Sequence, residues 1–151
     1  MRAIHLLLAS VLASTAPAWA QEPNPGLSPR EVVQLQLDAL RLVDRPSKDA
    51  GFATVFRFTS PENREQTGPL PRFSRMIREG FGELLNHRSA KLPATLQEAD
   101  RALQPVEITS LAGRTYRYVF VLRRQAEGDY QGCWMTDGVV PQDETGQSQE
   151  L

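Results

Sequence analysis

A single cysteine, Cys133, and a single histidine beyond the first twenty residues, His87, are all this chain offers as soft or near-neutral titrating ligands. One cysteine excludes an intramolecular disulfide. Cys133 reads as a small buried strand residue, the usual lot of a free cysteine, against the alternative of a reactive or intermolecular thiol. One histidine, one cysteine and scattered carboxylates give no zinc-ligand spacing, so no metal is expected. G-x-S-x-G, Walker and dinucleotide patterns are missing, so no cofactor is expected. Neither sign of charge is in excess: 17 basic residues face 18 acidic ones, a formal net charge of −1. That balance argues against nucleic acid or an anionic membrane as the main partner. Past the amino terminus no apolar run is long enough to span a bilayer.

What is present begins with an export pattern. Arg2 makes a short positive region, Leu6 to Ala13 an apolar one, and Ala18-Trp19-Ala20 the small-x-small site before Gln21. His5, Ser10, Ser14 and Pro17 interrupt the apolar stretch, which disfavours a permanent anchor. Residue 21 is Gln, so no lipid attaches there. The expectation is a signal peptide over 1–20, cleaved between Ala20 and Gln21, and a periplasmic or secreted protein with no membrane anchor after cleavage. At 40% hydrophobic and 23% charged residues the composition is that of one globular domain. A chain of this size buries roughly two-thirds of its surface and needs no staple.

Along the mature chain, 21–27 reads as a flexible lead-in. Ser28-Pro29-Arg30-Glu31 is a capping box with proline at the first helical position. The helix it opens carries Val33, Leu37 and Leu40 at helical spacing, with Arg30, Gln34, Asp38 and Arg41 on its polar side, and Pro46 ends it. A second helix is predicted over 48–58, a short one after Ser60-Pro61, and a third substantial one from about Arg72 until Gly80 and Gly82. The second half changes to period two. Strands are predicted over 103–111, 115–124 and 130–136, with Ala112-Gly113 turning the first into the second. Tyr116, Tyr118, Phe120 and Leu122 share one face of the middle strand, and Val119 and Val121 the other, which predicts cover on both sides. The domain is placed at 28–139 and a disordered polar tail at 140–151.

Helices first and antiparallel strands afterwards make an α+β fold, with N-terminal helices packed on a curled antiparallel sheet that leaves a cone-shaped pocket. Three segments make a resemblance specific: Ala50-Gly51 through Phe56-Arg57-Phe58-Thr59-Ser60-Pro61-Glu62-Asn63-Arg64; Thr67-Gly68-Pro69 with Arg72-Phe73 and Met76; and Gly132-Cys133-Trp134-Met135-Thr136-Asp137-Gly138-Val139. With Asn86-His87 between them, they resemble the family called domain of unknown function 4864. That family is similar in fold to the nuclear-transport-factor-2-like, or cystatin-like, superfamily. The resemblance implies a fold and no activity.

Candidate chemistry is sparse. His87 can serve as a general base, or be a hydrogen-bonded structural histidine at a helix-to-strand junction. Asp137 can be a carboxyl tuned by an apolar cavity, or half of an Asp-Gly turn. Tyr116, Tyr118 and Trp134 can offer donors to a ligand, or be core aromatics with polar tips at the rim. Asn63 and Arg64 can clamp an anionic group, while Arg72, Arg75 and Arg78 read as a solvated face. The pocket is expected to be bordered by Tyr116, Tyr118 and Trp134, with Val33, Leu37 and Phe56 at its closed end and at most one of His87 and Asp137 reaching it. The leading expectation is an exported ligand-binding or protein-interaction module. Its alternative is a small cofactor-free acid–base enzyme (isomerase, dehydratase or hydrolase) using His87 and Asp137. The partner is an unidentified small ligand or protein, or a second copy joined through the open sheet face.

Overall fold

The computed structural model describes residues 16–142. Four helices come first: α1 (Pro29–Arg41), α2 (Ala50–Phe58), α3 (Pro61–Thr67) and α4 (Leu70–Gly80). Local chemistry explains where they start. The Ser28 hydroxyl accepts the Glu31 N–H at 3.2 Å, and the Glu31 carboxylate accepts the Ser28 N–H at 2.8 Å. The Ser28 backbone N–H most of all, and the Ser28 hydroxyl, which donates to the same carboxylate at 2.8 Å, stabilise the ionised form of Glu31 and lower its pKa. Ser60 caps α3 through the Asn63 N–H at 3.3 Å, with Pro61 at the first helical position. α2 has no side-chain cap and is held by tertiary contacts instead.

Five antiparallel strands follow: β1 (Ser89–Lys91), β2 (Leu96–Glu98), β3 (Arg101–Thr109), β4 (Thr115–Arg124) and β5 (Trp134–Gln142). The sheet runs β1-β3-β4-β5, with β2 pairing on the same edge of β3 as β1. Ser89 pairs with Thr109 and Leu96 with Leu103, so β1 and β2 divide that edge between them. The sheet is open, and the fold is α+β as its pattern implies.

The helices pack on one face only. Val32, Val33, Leu37 and Leu40 of α1 meet Val106, Ile108, Phe120 and Leu122 in a continuous core. Among the described residues nothing covers the opposite face, contrary to the expected cover on both sides of β4. Val119 and Val121 are only half-buried, and Leu96, Leu103 and Val140 are exposed. Their partial burial comes from cross-strand neighbours in register, Pro105 beside Val119 and Leu103 beside Val121.

Several boundaries differ from expectation: α2 begins at Ala50 rather than 48, α4 at Leu70 rather than about Arg72, and β3 spans Arg101–Thr109 rather than 103–111. β5 begins at Trp134 and runs to Gln142, past the predicted end at Thr136, because a bulge absorbs Asp137: Leu122 pairs with Thr136, while Val121 pairs with Gly138. The tail predicted from 140 therefore loses Val140, Pro141 and Gln142 to the sheet, and 143–151 lies outside the described residues. The lead-in is tied down rather than free. Arg57 donates to the Gln21 carbonyl at 2.8 Å and pairs with Glu22 at 3.0 Å, and Pro25 lies against Gly132. The predicted apolar stretch Leu6 to Ala13 also lies outside the described residues; Ala18–Ala20 forms a single 3₁₀ turn.

Candidate functional site

A cavity of about 190 Å³ lies between the helices and the sheet. Every helix contributes to its wall: Gln36 and Leu40 from α1, Val55 from α2, Asn63 and Thr67 from α3, and Phe73, Met76 and Ile77 from α4. Phe81, between α4 and the 3₁₀ turn Gly82–Leu84, and Leu84, at the end of that turn, add to it, with Phe120, Thr136 and Val139 from the sheet. The helical spacing Phe73, Met76, Ile77 turns one side of α4 toward this space. The bulge at Asp137 lets Thr136 and Val139 both face inward although they are three residues apart.

The wall is apolar except for one neutral polar cluster. Gln36 is 1% exposed, and its Nε2 donates to the Thr136 Oγ1 at 2.8 Å and to the Val32 carbonyl at 3.3 Å. The Asn63 amide donates to the Thr136 carbonyl at 3.5 Å. Thr59 and Thr67, also in the wall, turn their hydroxyls back onto helical carbonyls, of Val55 at 3.0 Å and Asn63 at 2.7 Å. Among the described residues that line the cavity none is ionisable.

The residues singled out from sequence scatter. Asn63 alone lines the cavity. Arg64 is committed to the protein: its guanidinium donates to the Thr59 carbonyl at 2.8 Å and the Arg57 carbonyl at 3.2 Å. It lies near the rings of Phe56, at 5.8 Å, and Tyr130, at 4.9 Å. It clamps the α2–α3 corner through these contacts. Tyr116 and Tyr118 border a separate shallow depression with Arg114, Arg117, Pro141 and Gln142. Burial, with Glu83 and Tyr116 nearby, raises the Tyr118 phenol pKa. Trp134 is buried at the start of β5 under the Arg124 guanidinium, 5.6 Å from its ring centre. Val33 and Leu37 are sealed in the core, and Phe56 stacks on Phe73 at 5.0 Å. The cavity thus lies beside the expected one, nearer α3 and α4: Phe120 lines it, while Tyr118, buried in the same core, packs its ring 6.2 Å from that of Phe81.

His87 and Asp137 do not meet in it; neither lines the cavity. His87 is buried at the junction into β1, with its Nδ1 2.8 Å from the Leu84 carbonyl. Only a protonated Nδ1 can donate to that carbonyl, which fixes the neutral tautomer. Burial lowers the His87 pKa, and Arg41 adds to the shift; the Leu84 carbonyl and Asp38 oppose it. Asp137 turns away from the cavity to pair with Arg123 at 2.8 Å, and Glu62 shares that arginine at 3.4 Å. Arg78 pairs with Asp49 and lies over Phe52. Cys133 is buried just before β5, where desolvation raises its thiol pKa.

Gln36 and Thr136 were not marked as site residues by any motif. A signal for Gln36 exists: it sits at i+4 from Val32 and i−4 from Leu40, a lone amide inside an apolar stripe.

Two comparisons bear on identity. A family model described as a domain of unknown function, DUF4864, matches residues 26–148, and the chain belongs to that family. No curated protein matches it.

Proposed function

We propose that this family member is an exported module that binds a small, uncharged, largely apolar molecule in the cavity between helices and sheet. The observation that carries the reading is the wall itself, apolar side chains around one neutral amide–hydroxyl cluster. Binding sites commonly have this make-up, apolar lining with few converging polar groups. An apolar cavity of about 150 Å³ takes benzene. A space of about 190 Å³ therefore suits a molecule of roughly 7–10 non-hydrogen atoms, with any remainder at the mouth. Binding ranks above acid–base catalysis because a general acid or base must reach the reacting atom, and His87 and Asp137 both lie outside the lining.

The leader pattern ahead of Gln21 supports export to the periplasm or medium. A likeness in fold to the nuclear-transport-factor-2-like superfamily belongs to the same reading, supported by helices on one face of an open antiparallel sheet with a cavity between.

Toluene is the probe. Titrated into labelled protein, it shifts the methyl resonances of Leu40, Val55, Ile77 and Val139, and Val139→Phe or Met76→Phe, from opposite walls, abolishes the shifts while far-UV circular dichroism is unchanged. Shifts that survive both plugs, or that map to Leu103 and Val140 on the open face, defeat the reading. Export is checked separately: intact mass after expression with a secretion system starts at Gln21, and retention of Met1 to Ala20 refutes it.

A further inference from the structure

We infer that the cavity selects a hydroxyl group on its apolar ligand, held between the Gln36 Oε1 and the Thr136 hydroxyl. The inference rests on the binding reading above and starts from the hydrogen-bond inventory of one side chain. Gln36 is almost wholly buried, and the acceptor-only carbonyl of Val32 requires its Nε2 on that side. Its second amide proton goes to the Thr136 Oγ1. The Oε1 is then left over: among the described residues nothing donates to it, and it is not among the sealed-off polar atoms, so it opens on the space that Gln36 lines.

The partner atom is equally specific. The Thr136 Oγ1 accepts from Gln36, so its own proton is free, and no acceptor for it occurs among the described residues. Thr59 and Thr67 differ, because their protons are already spent on helical carbonyls. One acceptor and one donor, carried by two hydrogen-bonded residues in the wall of an apolar chamber, are the complement of a hydroxyl, which donates once and accepts. Groups this deep are rarely left unpaired, so the pair has a ligand-recognition character that packing does not explain. A carboxylate is the wrong match. It can only accept, would face the Gln36 carbonyl oxygen, and would find no cation among the described lining residues.

Phenol and toluene, alike in size and shape, and benzoate, two non-hydrogen atoms larger but still within the cavity's reach, form the test by titration of the full mature chain. In the native protein phenol binds at least as tightly as toluene despite its greater hydration, and benzoate binds more weakly than either. Gln36→Met weakens phenol about tenfold relative to toluene, the size of one hydrogen bond to a buried partner. Thr136→Val does the same, whereas Thr136→Ser keeps the preference for phenol. If toluene binds and phenol is excluded, or if Gln36→Met moves both ligands equally, the hydroxyl assignment is overturned while the cavity reading survives. If none of the three reaches the cavity methyls, both fall together.

Discussion

Replacing Gly51 by alanine tests the packing that holds the cavity open, because two physical effects there predict opposite signs. Gly51 lies near the start of α2 with ordinary helical backbone. By intrinsic propensity alone Gly→Ala in a helix stabilises by up to about 1 kcal/mol. The tertiary structure says otherwise. A Cβ at this position would lie 2.3 Å from the Ala39 carbonyl oxygen and 2.8 Å from the Val43 Cα. Both obstacles are α1 backbone and its exit, so no side chain can rotate away. Relief requires α2 to retreat by about 1 Å, given carbon–oxygen contact distances near 3.3 Å. Such a retreat strains the Gly51 N–H bond to the Val43 carbonyl, now 2.8 Å, and loosens Phe52, Val55 and Phe58 against α1.

Overpacking costs about 1–3 kcal/mol, a weakened buried hydrogen bond about 1 kcal/mol, and propensity returns about 1 kcal/mol. The expected net loss is about 2 kcal/mol. For a domain of this size that lowers Tm by roughly 6–10 °C. Urea unfolding followed by far-UV circular dichroism should show a lower midpoint at unchanged slope. Gly80→Ala is the control, since a Cβ there meets nothing within 4 Å, and it should be neutral or slightly stabilising. A Gly51→Ala midpoint at or above the native one would refute the packing argument, as would an equal loss at Gly80.

Arg64→Lys should destabilise by about 1–3 kcal/mol, because an ammonium cannot reach the Thr59 and Arg57 carbonyls from one planar group; a thermal melt matching the native one would contradict the clamp. The lowered pKa of His87 makes the unfolded state bind the proton more tightly than the folded one, so stability rises with pH through this group. The contribution is complete above the ordinary value of 6.5, declines as pH falls below it, and is lost beneath the folded-state value. Arg41 and Asp38 set the local field. Urea midpoints measured from pH 8 to 5 should fall for the native chain and fall less for His87→Gln; parallel curves would show that His87 is not the group responsible.

Where local chemistry sufficed, the sequence was legible. Ser28 and Glu31 cap each other within four residues, and Ser60-Pro61 starts α3 in the same way, so both helix starts follow from side chains adjacent in the chain. The alternation of β4 from Thr115 to Arg124 reads directly as a strand. β1 and β2 escaped notice because three residues of mostly exposed polar character carry no period. β5 was cut short because the bulge at Asp137 breaks the alternation at the point where the strand continues.

Sequence by itself determined the helix-then-strand order, the α+β class and the burial of Cys133. These depend on residue identity and on spacings of a few positions. Tertiary structure alone decided which side chains share a space. Gln36 and Thr136 are a hundred residues apart and meet only because α1 crosses the bulged strand β5. Asp137 was turned elsewhere by a partner no local pattern announces, Arg123, whereas His87 is held by the Leu84 carbonyl three residues before it, the structural role its helix-to-strand position allowed. Capping and alternation are short-range and written in neighbours; a cavity is made where long-range packing leaves room, and that is settled only when the layers close.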